Sequence, residues 1–115
     1  MDIQAKKLQA RFYQTHSGRK PVREWLVDLS PDDRRIVGYD MQTVEFGWPI
    51  GMPVCRPLGD GLWEVRSHLS DGTIARIIFC IMVGDMVLLN SFIKKTQKTP
   101  PQEIELARKR RQEIE

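Results

Sequence analysis

The sequence predicts an α+β fold: an antiparallel sheet with two N-terminal helices packed on one face and a C-terminal helix. Three observations lead there. Two proline-opened segments with apolar residues at helical spacing fill residues 21–46. The period then changes, and residues 54–93 read as short apolar strands divided by glycine turns. A further proline-opened segment, rich in charge, follows them.

Arg11-Phe-Tyr-Gln-Thr15 is aromatic and β-compatible and stops at Ser17-Gly18, which makes a first strand. Pro21 opens a helix whose Val22, Trp25, Leu26 and Leu29 share one face. Ser30 then supplies an N-cap hydroxyl, Pro31 the first helical position, and Asp32 and Asp33 carboxylates for the positive end of the dipole. That second helix presents Ile36, Val37, Tyr39, Met41, Val44 and Phe46 and ends at Gly47-Trp-Pro49. Residues 62–69 alternate, with Trp63, Val65 and Leu69 on one face and Glu64, Arg66 and His68 on a polar one. Ser70-Asp71-Gly72 turns the chain into residues 73–82, apolar on both faces as in a central strand, and Gly84-Asp85 turns it back into residues 86–93. Thr99-Pro-Pro-Gln102 resembles a capping box, with Thr99 as N-cap of the last helix. The predicted order is β-α-α-β-β-β-(β)-α, a sandwich with helices on one sheet face.

The 115 residues suffice for one domain, 1–115, with a single core. Apolar content of 41% and charged content of 29% are those of a folded protein. Net charge is +3, and its placement says more than its size. From residue 86 onward seven Lys and Arg face four Glu, whereas residues 1–53 are nearly balanced. Cys55 and Cys80 lie among apolar or proline residues, as reduced buried thiols of a cytoplasmic protein would. The polar start (Asp2, Lys6, Lys7) predicts no secretory signal. The longest apolar run, about ten residues around Arg76, is too short to span a bilayer, so no membrane role is expected.

The charged residues point toward phosphate. Arg76 is the one charge in a strand otherwise fit for burial, and an unpartnered buried guanidinium costs several kcal/mol. It must meet a carboxylate, with Glu64 a candidate, or open onto a wet concavity. A guanidinium can hold two phosphate oxygens at once. Arg66, on the polar face of its strand, is either a second such group or an exposed cross-strand partner worth a few tenths of a kcal/mol. Lys94, Lys95 and Lys98 cluster at a strand exit. Taken singly they read as a solvated end, but their mutual repulsion would be offset by a polyanion. Strand alternation sends Lys94 and Lys95 to opposite sides without saying which joins the arginines. His68 falls on the same face, although a lone histidine is more often an incidental surface residue. The run Arg108-Lys-Arg-Arg111 is either a solvated helix face or a track for a nucleic-acid backbone.

Two histidines and two unpaired cysteines make no zinc motif, no aspartate cluster suggests magnesium, and no cofactor is expected. Nucleophile elbow, Gly-rich phosphate loop and paired carboxylates are absent. Cation-assisted chemistry on RNA remains open. Its 2′-hydroxyl is an internal nucleophile that needs only alignment, a proton acceptor and neutralised phosphate oxygens.

Leu62-Trp-Glu-Val-Arg66, Ala75-Arg-Ile-Ile-Phe79 and Phe92-Ile-Lys-Lys-Thr-Gln-Lys-Thr-Pro100, with Glu103-Ile104 and Ala107-Arg108, resemble the RelE/HigB superfamily of toxins, most closely its phage-derived HigB-like branch. The likeness runs from about Phe12 to Arg110 and is most specific in the lysine-bearing run. It implies a RelE-like fold and the toxin of a type II toxin–antitoxin pair. Such toxins enter the ribosomal A site and cut mRNA without metal, until a helix-turn-helix antitoxin neutralises them. On that likeness Arg66, Arg76 and Lys95 are catalytic. Arg66 and Arg76 would grip the scissile phosphate, and Lys95 or Lys94 would assist proton transfer or charge neutralisation. Lys94, Lys98, His68 and Arg108 are substrate-binding, with the last helix holding ribosomal RNA. Some members use a tyrosine near the C-terminus, but none follows Tyr39 here; others use histidines in an Asp-Tyr-His-like context that is also missing. ParE-like relatives keep the scaffold and poison gyrase, and a non-catalytic nucleic-acid-binding module is a further alternative. Phosphate chemistry at this face requires the cations to converge on one open side of the sheet.

Overall fold

Segment by segment, local chemistry sets the elements of the computed structural model, which describes residues 5–115. Strand β1 (Gln9–Phe12) begins earlier than the sequence suggests and ends before Thr15. The reason is a turn: the Thr15 hydroxyl accepts from the Arg19 amide at 3.1 Å, and Gly18 takes φ +92°. Helix α1 (Pro21–Asp28) starts on its proline without a side-chain cap. Helix α2 (Pro31–Gly47) has the predicted cap, with Ser30 Oγ accepting from the Asp33 amide at 3.2 Å. Between them Arg34 donates to the carbonyls of Leu26, Val27 and Leu29, closing the free end of α1.

Strands β2 (Cys55–Gly59), β3 (Leu62–His68), β4 (Ile74–Met82) and β5 (Asp85–Lys94) form an antiparallel meander, and helix α3 (Pro101–Ile114) follows. The five-stranded sheet has the order β1-β5-β4-β3-β2. β1 joins parallel to β5, so the sheet is mixed. Two tight turns use residues at positive φ: Asp60-Gly61 between β2 and β3, and Val83-Gly84 between β4 and β5.

Helices cover both faces of the sheet, which corrects the expectation of one. Val22 of α1 and Val37, Met41 and Val44 of α2 pack on Val65, Ala75, Ile77, Phe79, Met86 and Leu88. On the opposite face Ala107, flanked by Ile104 and Ile114 of α3, packs on Leu62, Ile78, Cys80, Val87 and Leu89. The cause lies in β4, whose residues from Ile74 to Cys80 are all buried. A strand apolar on both sides needs cover on both sides.

A β-bulge in β5 decides which side chains reach the α3 face. Ile78 pairs with Asn90 while Phe79 pairs with Leu88, so Leu89 is the extra residue. Before the bulge Met86 and Leu88 face α1 and α2. After it Asn90, bonded to Glu103, and Phe92 face α3. The register Ile74 with Lys94 carries Lys94 to that face as well.

Both thiols are free and buried. Burial first, and the Glu64 charge second, push the Cys55 thiol from the ordinary 9.0 up to about 11. The folded chain then keeps a proton that the unfolded chain releases, so stability should fall as pH rises from 9.0 to about 11. Urea unfolding across that range should show the fall, made shallower by Cys55→Ala. Cys80 and Tyr13, shifted in the same direction, should account for part of what remains.

Candidate functional site

Register alone brings the cationic strands together. Arg66 lies opposite Arg76 across β3 and β4, and Arg76 opposite Phe92 across β4 and β5. The next row toward the middle of the sheet holds Arg56, Glu64, Ile78 and Asn90. The row on the other side holds His68, Ile74 and Lys94. Directly paired residues share a face, so these rows all look toward α3 and the segment that leads into it.

Arg76 is fully buried. Its guanidinium lies 5.7 Å from the Phe92 ring centroid, a cation–π contact, and its Nη1 donates to the Lys98 carbonyl at 3.1 Å. Its Nε and Nη2 have no hydrogen-bond partner among the described residues. Arg66 Nη2 donates to the Gln97 carbonyl at 2.7 Å and to Gln97 Oε1 at 3.3 Å. Arg66 Nε is 3.4 Å from Glu64 Oε1. Glu64 is fully buried too, and its Oε2 accepts from the Thr99 hydroxyl at 2.6 Å. Arg56 Nη1 reaches the same Gln97 carbonyl at 3.3 Å.

Three guanidinium groups therefore share one carboxylate and two main-chain oxygens. Burial pulls the Arg76 pKa down, Glu64 opposes, and the charges of Arg66 and Arg56 pull it further down. A guanidinium remains protonated under such pressure, so the layer stays positive.

The cations converge, but the side they share is not open. Residues 95–100 lie over the arginines, and Arg66 is held in an ion pair rather than on a solvated face. Only His68 of the predicted polar face of β3 is exposed; Glu64 and Arg66 are buried. Glu64, anticipated as the partner of Arg76, makes its close ion pair with Arg66 instead. Thr99 is likewise not the N-cap of α3. That position belongs to Pro100, which makes no side-chain cap bond. The Thr99 hydroxyl donates instead to the buried Glu64 carboxylate.

The remaining candidates divide by location. Lys94, at the end of β5, and His68 are exposed in the row beside the arginines. Lys95 and Lys98 are exposed in the covering segment, and it is the Lys98 carbonyl, not its ammonium, that touches the cluster. Lys95 is close enough to Asp71 that its charge adds to the Thr73 hydrogen bonds holding that carboxyl below its ordinary range. Arg108 is not brought to the site. It pairs with Asp60 at 3.1 Å and Glu105 at 2.7 Å, beside the β2–β3 turn. Arg110 and Arg111 donate to the carbonyls of Leu89 and Asp60, so most of the basic run ties α3 to the sheet.

Sequence reasoning missed Arg56, Gln97 and Thr99 as members of this layer. Arg56 had a signal: it is the one charge in the short segment Cys55-Arg-Pro-Leu-Gly59, which forms β2. Among the described residues no group of three His, Cys, Asp or Glu is disposed to hold a metal ion, and no helix is long and apolar enough to cross a membrane.

Glu64→Gln tests the electrostatics of the layer. Glutamine can keep the bond from Thr99 while removing the negative charge that, among the described residues, lies beside three guanidinium groups. Urea unfolding should report a loss of about 3 kcal/mol.

Residues 24–112 match the family model described as Phage derived protein Gp49-like (DUF891). No curated protein matches the chain. That family sits in the toxin–antitoxin-associated RelE/HigB-like superfamily, which implies an antitoxin partner. With the match running across most of the sequence, the chain belongs to the phage-derived Gp49-like family and is, at family level, a toxin–antitoxin toxin.

Proposed function

We propose that this chain is a toxin of the HigB-like branch that cuts mRNA on the ribosome, in the cytoplasm, and is held inactive by a helix-turn-helix antitoxin. The observation that carries the proposal is the layer formed by Arg56, Arg66 and Arg76 on three adjacent strands, with one carboxylate among them. A cluster with this surplus of positive charge suits an anion, and planar guanidinium groups suit phosphate oxygens.

In the proposed reaction the arginines hold the phosphodiester and take up the charge that develops on its oxygens. The 2′-oxygen attacks phosphorus as the bond to the 5′-oxygen breaks. The 2′-hydroxyl loses its proton to a base, and the 5′-oxygen gains one as it leaves. Lys94, on the arginine side by register, and Lys95, in the covering segment, are the groups available for proton transfer or charge neutralisation. His68, in the row of Lys94, and Lys98 line the approach. Arg108 is committed to Asp60 and Glu105 and is left out of the reaction, although α3 can still contact ribosomal RNA through exposed Lys109. The ribosome would supply alignment of the message, which this small face does not provide alone.

Induced expression in bacteria with mapping of transcript 5′ ends should show cuts confined to translated frames. Arg66→Ala, Lys95→Ala and Arg76→Met, the last chosen to keep buried volume, should each lower cleavage by on the order of 10²-fold and relieve growth arrest. Intact transcripts with DNA breaks and an SOS response would instead identify a gyrase poison. A folded triple variant as toxic as the parent would remove these residues from the mechanism.

A further inference from the structure

Residues 95–100 rest on the arginines through main-chain oxygens. The Gln97 carbonyl takes bonds from Arg66 and Arg56, and the Lys98 carbonyl takes one from Arg76. Thr99 adds its bond to Glu64. The side chains of residues 95–98 are exposed to solvent. Outside the regular elements, no main-chain to main-chain hydrogen bond joins residues 95–99 to anything among the described residues. This strap is thus held by the arginines assigned above to the substrate and by Glu64.

The fit is incomplete in an informative way. Two neutral carbonyls face three guanidinium groups, while Arg76 Nε, Arg76 Nη2 and Arg66 Nε are buried without an acceptor among the described residues. Glu64 Oε1 is also unsatisfied, although it lies 3.4 Å from Arg66 Nε. Charged donors bind anionic oxygens more strongly than neutral ones. A phosphate offers acceptors at several angles, which a single carbonyl does not.

We infer that the carbonyl oxygens of Gln97 and Lys98 occupy the positions taken by two oxygens of an RNA backbone phosphate, and that residues 95–100 lift to admit it. The inference rests on the reading of the arginine layer as a phosphate site and adds how that site is kept closed. In the resting protein the strap satisfies part of the buried charge and competes with the ligand. Apparent affinity is then reduced by the fraction of molecules with the strap down. The lysines at positions 95 and 98 move with it, so their charges are repositioned around the phosphate as it enters.

The test uses the whole chain and a short oligonucleotide with 2′-deoxy sugars, which binds but cannot be cut by its own hydroxyl. Nuclear magnetic resonance follows the Nε–H signals of Arg56, Arg66 and Arg76 and the amides of residues 97–99, and nitrogen-15 relaxation follows the motion of the strap. The probe should shift all of these together and saturably. Gln97→Ala removes the Oε1 contact with Arg66, and Thr99→Val removes the hydroxyl tie to Glu64. Both should increase the motion of residues 95–99 and tighten binding about three- to tenfold. Thr99→Val leaves a buried carboxylate short of a donor and can unfold; Gln97→Ala, at an exposed position, then carries the comparison. A more mobile strap with unchanged or weaker binding would overturn the inference, as would binding that leaves Arg76 and the strap amides unmoved. Cleavage is not read here. Failure to cut transcripts in cells would count against the nuclease, whereas failure of this titration counts against the strap.

Discussion

The Glu64 carboxylate is the contact on which the α3 side of this molecule depends. Fully buried, it balances Arg66 at 3.4 Å and accepts from Thr99 at 2.6 Å, so it links β3 to the covering segment and to the start of α3. Without it, neighbouring guanidinium groups on β2, β3 and β4 would repel one another in a region with little water to screen them. Such a layer is a poor way to gain stability. Buried ion pairs roughly break even with apolar packing, and this one leaves donors of Arg76 unsatisfied. An arrangement that costs stability and concentrates one sign of charge is what a binding site requires.

The α3 face of the sheet divides into two territories. Leu62, Ile78, Cys80, Val87 and Leu89 lie under α3 and form an ordinary apolar core. Arg56, Glu64, Arg66 and Arg76 lie under the segment that precedes the helix. Helix α3 is anchored by Arg108 and Arg111 to the β2–β3 turn and by Arg110 to Leu89. A firmly held helix therefore borders a lightly held segment, and the boundary falls at Pro100-Pro101. Two prolines in succession also make the helix start abruptly, without borrowing residues from the covering segment.

Much of the fold was legible because it rests on local chemistry. Ser30 before Pro31, the proline at the head of α1, and the period change after residue 54 each report on a few consecutive residues, and each element formed where expected. The placement of α3 on the opposite face needed a longer-range fact, namely that β4 is buried on both sides and α1 and α2 can cover only one. The side taken by Lys94 was not legible at all. Strict alternation from Met86 and Leu88 would send it toward α1 and α2, but the bulge at Leu89 reverses the parity. A bulge of this kind leaves no signature in residues as uniformly apolar as Met86-Val-Leu-Leu89. Arg66 and Arg76 could be singled out as charges in strands, yet their cover came from main-chain carbonyls of Gln97 and Lys98, which every residue has and no sequence pattern marks. Thr99 shows the same limit. Its position before two prolines suits an N-cap, but a buried carboxylate from a strand 35 residues away claims the hydroxyl.

The arginine layer as a phosphate site is the claim that the functional account stands on. A crystal structure of the chain with a bound 2′-deoxy oligonucleotide tests it most directly. The account predicts a backbone phosphate whose oxygens lie within hydrogen-bonding distance of Arg56, Arg66 and Arg76, with the Gln97 and Lys98 carbonyls displaced from those donors. A bound strand lying elsewhere, with Arg66 and Arg76 still bonded to Gln97 and Lys98 as they are in the free chain, would contradict it.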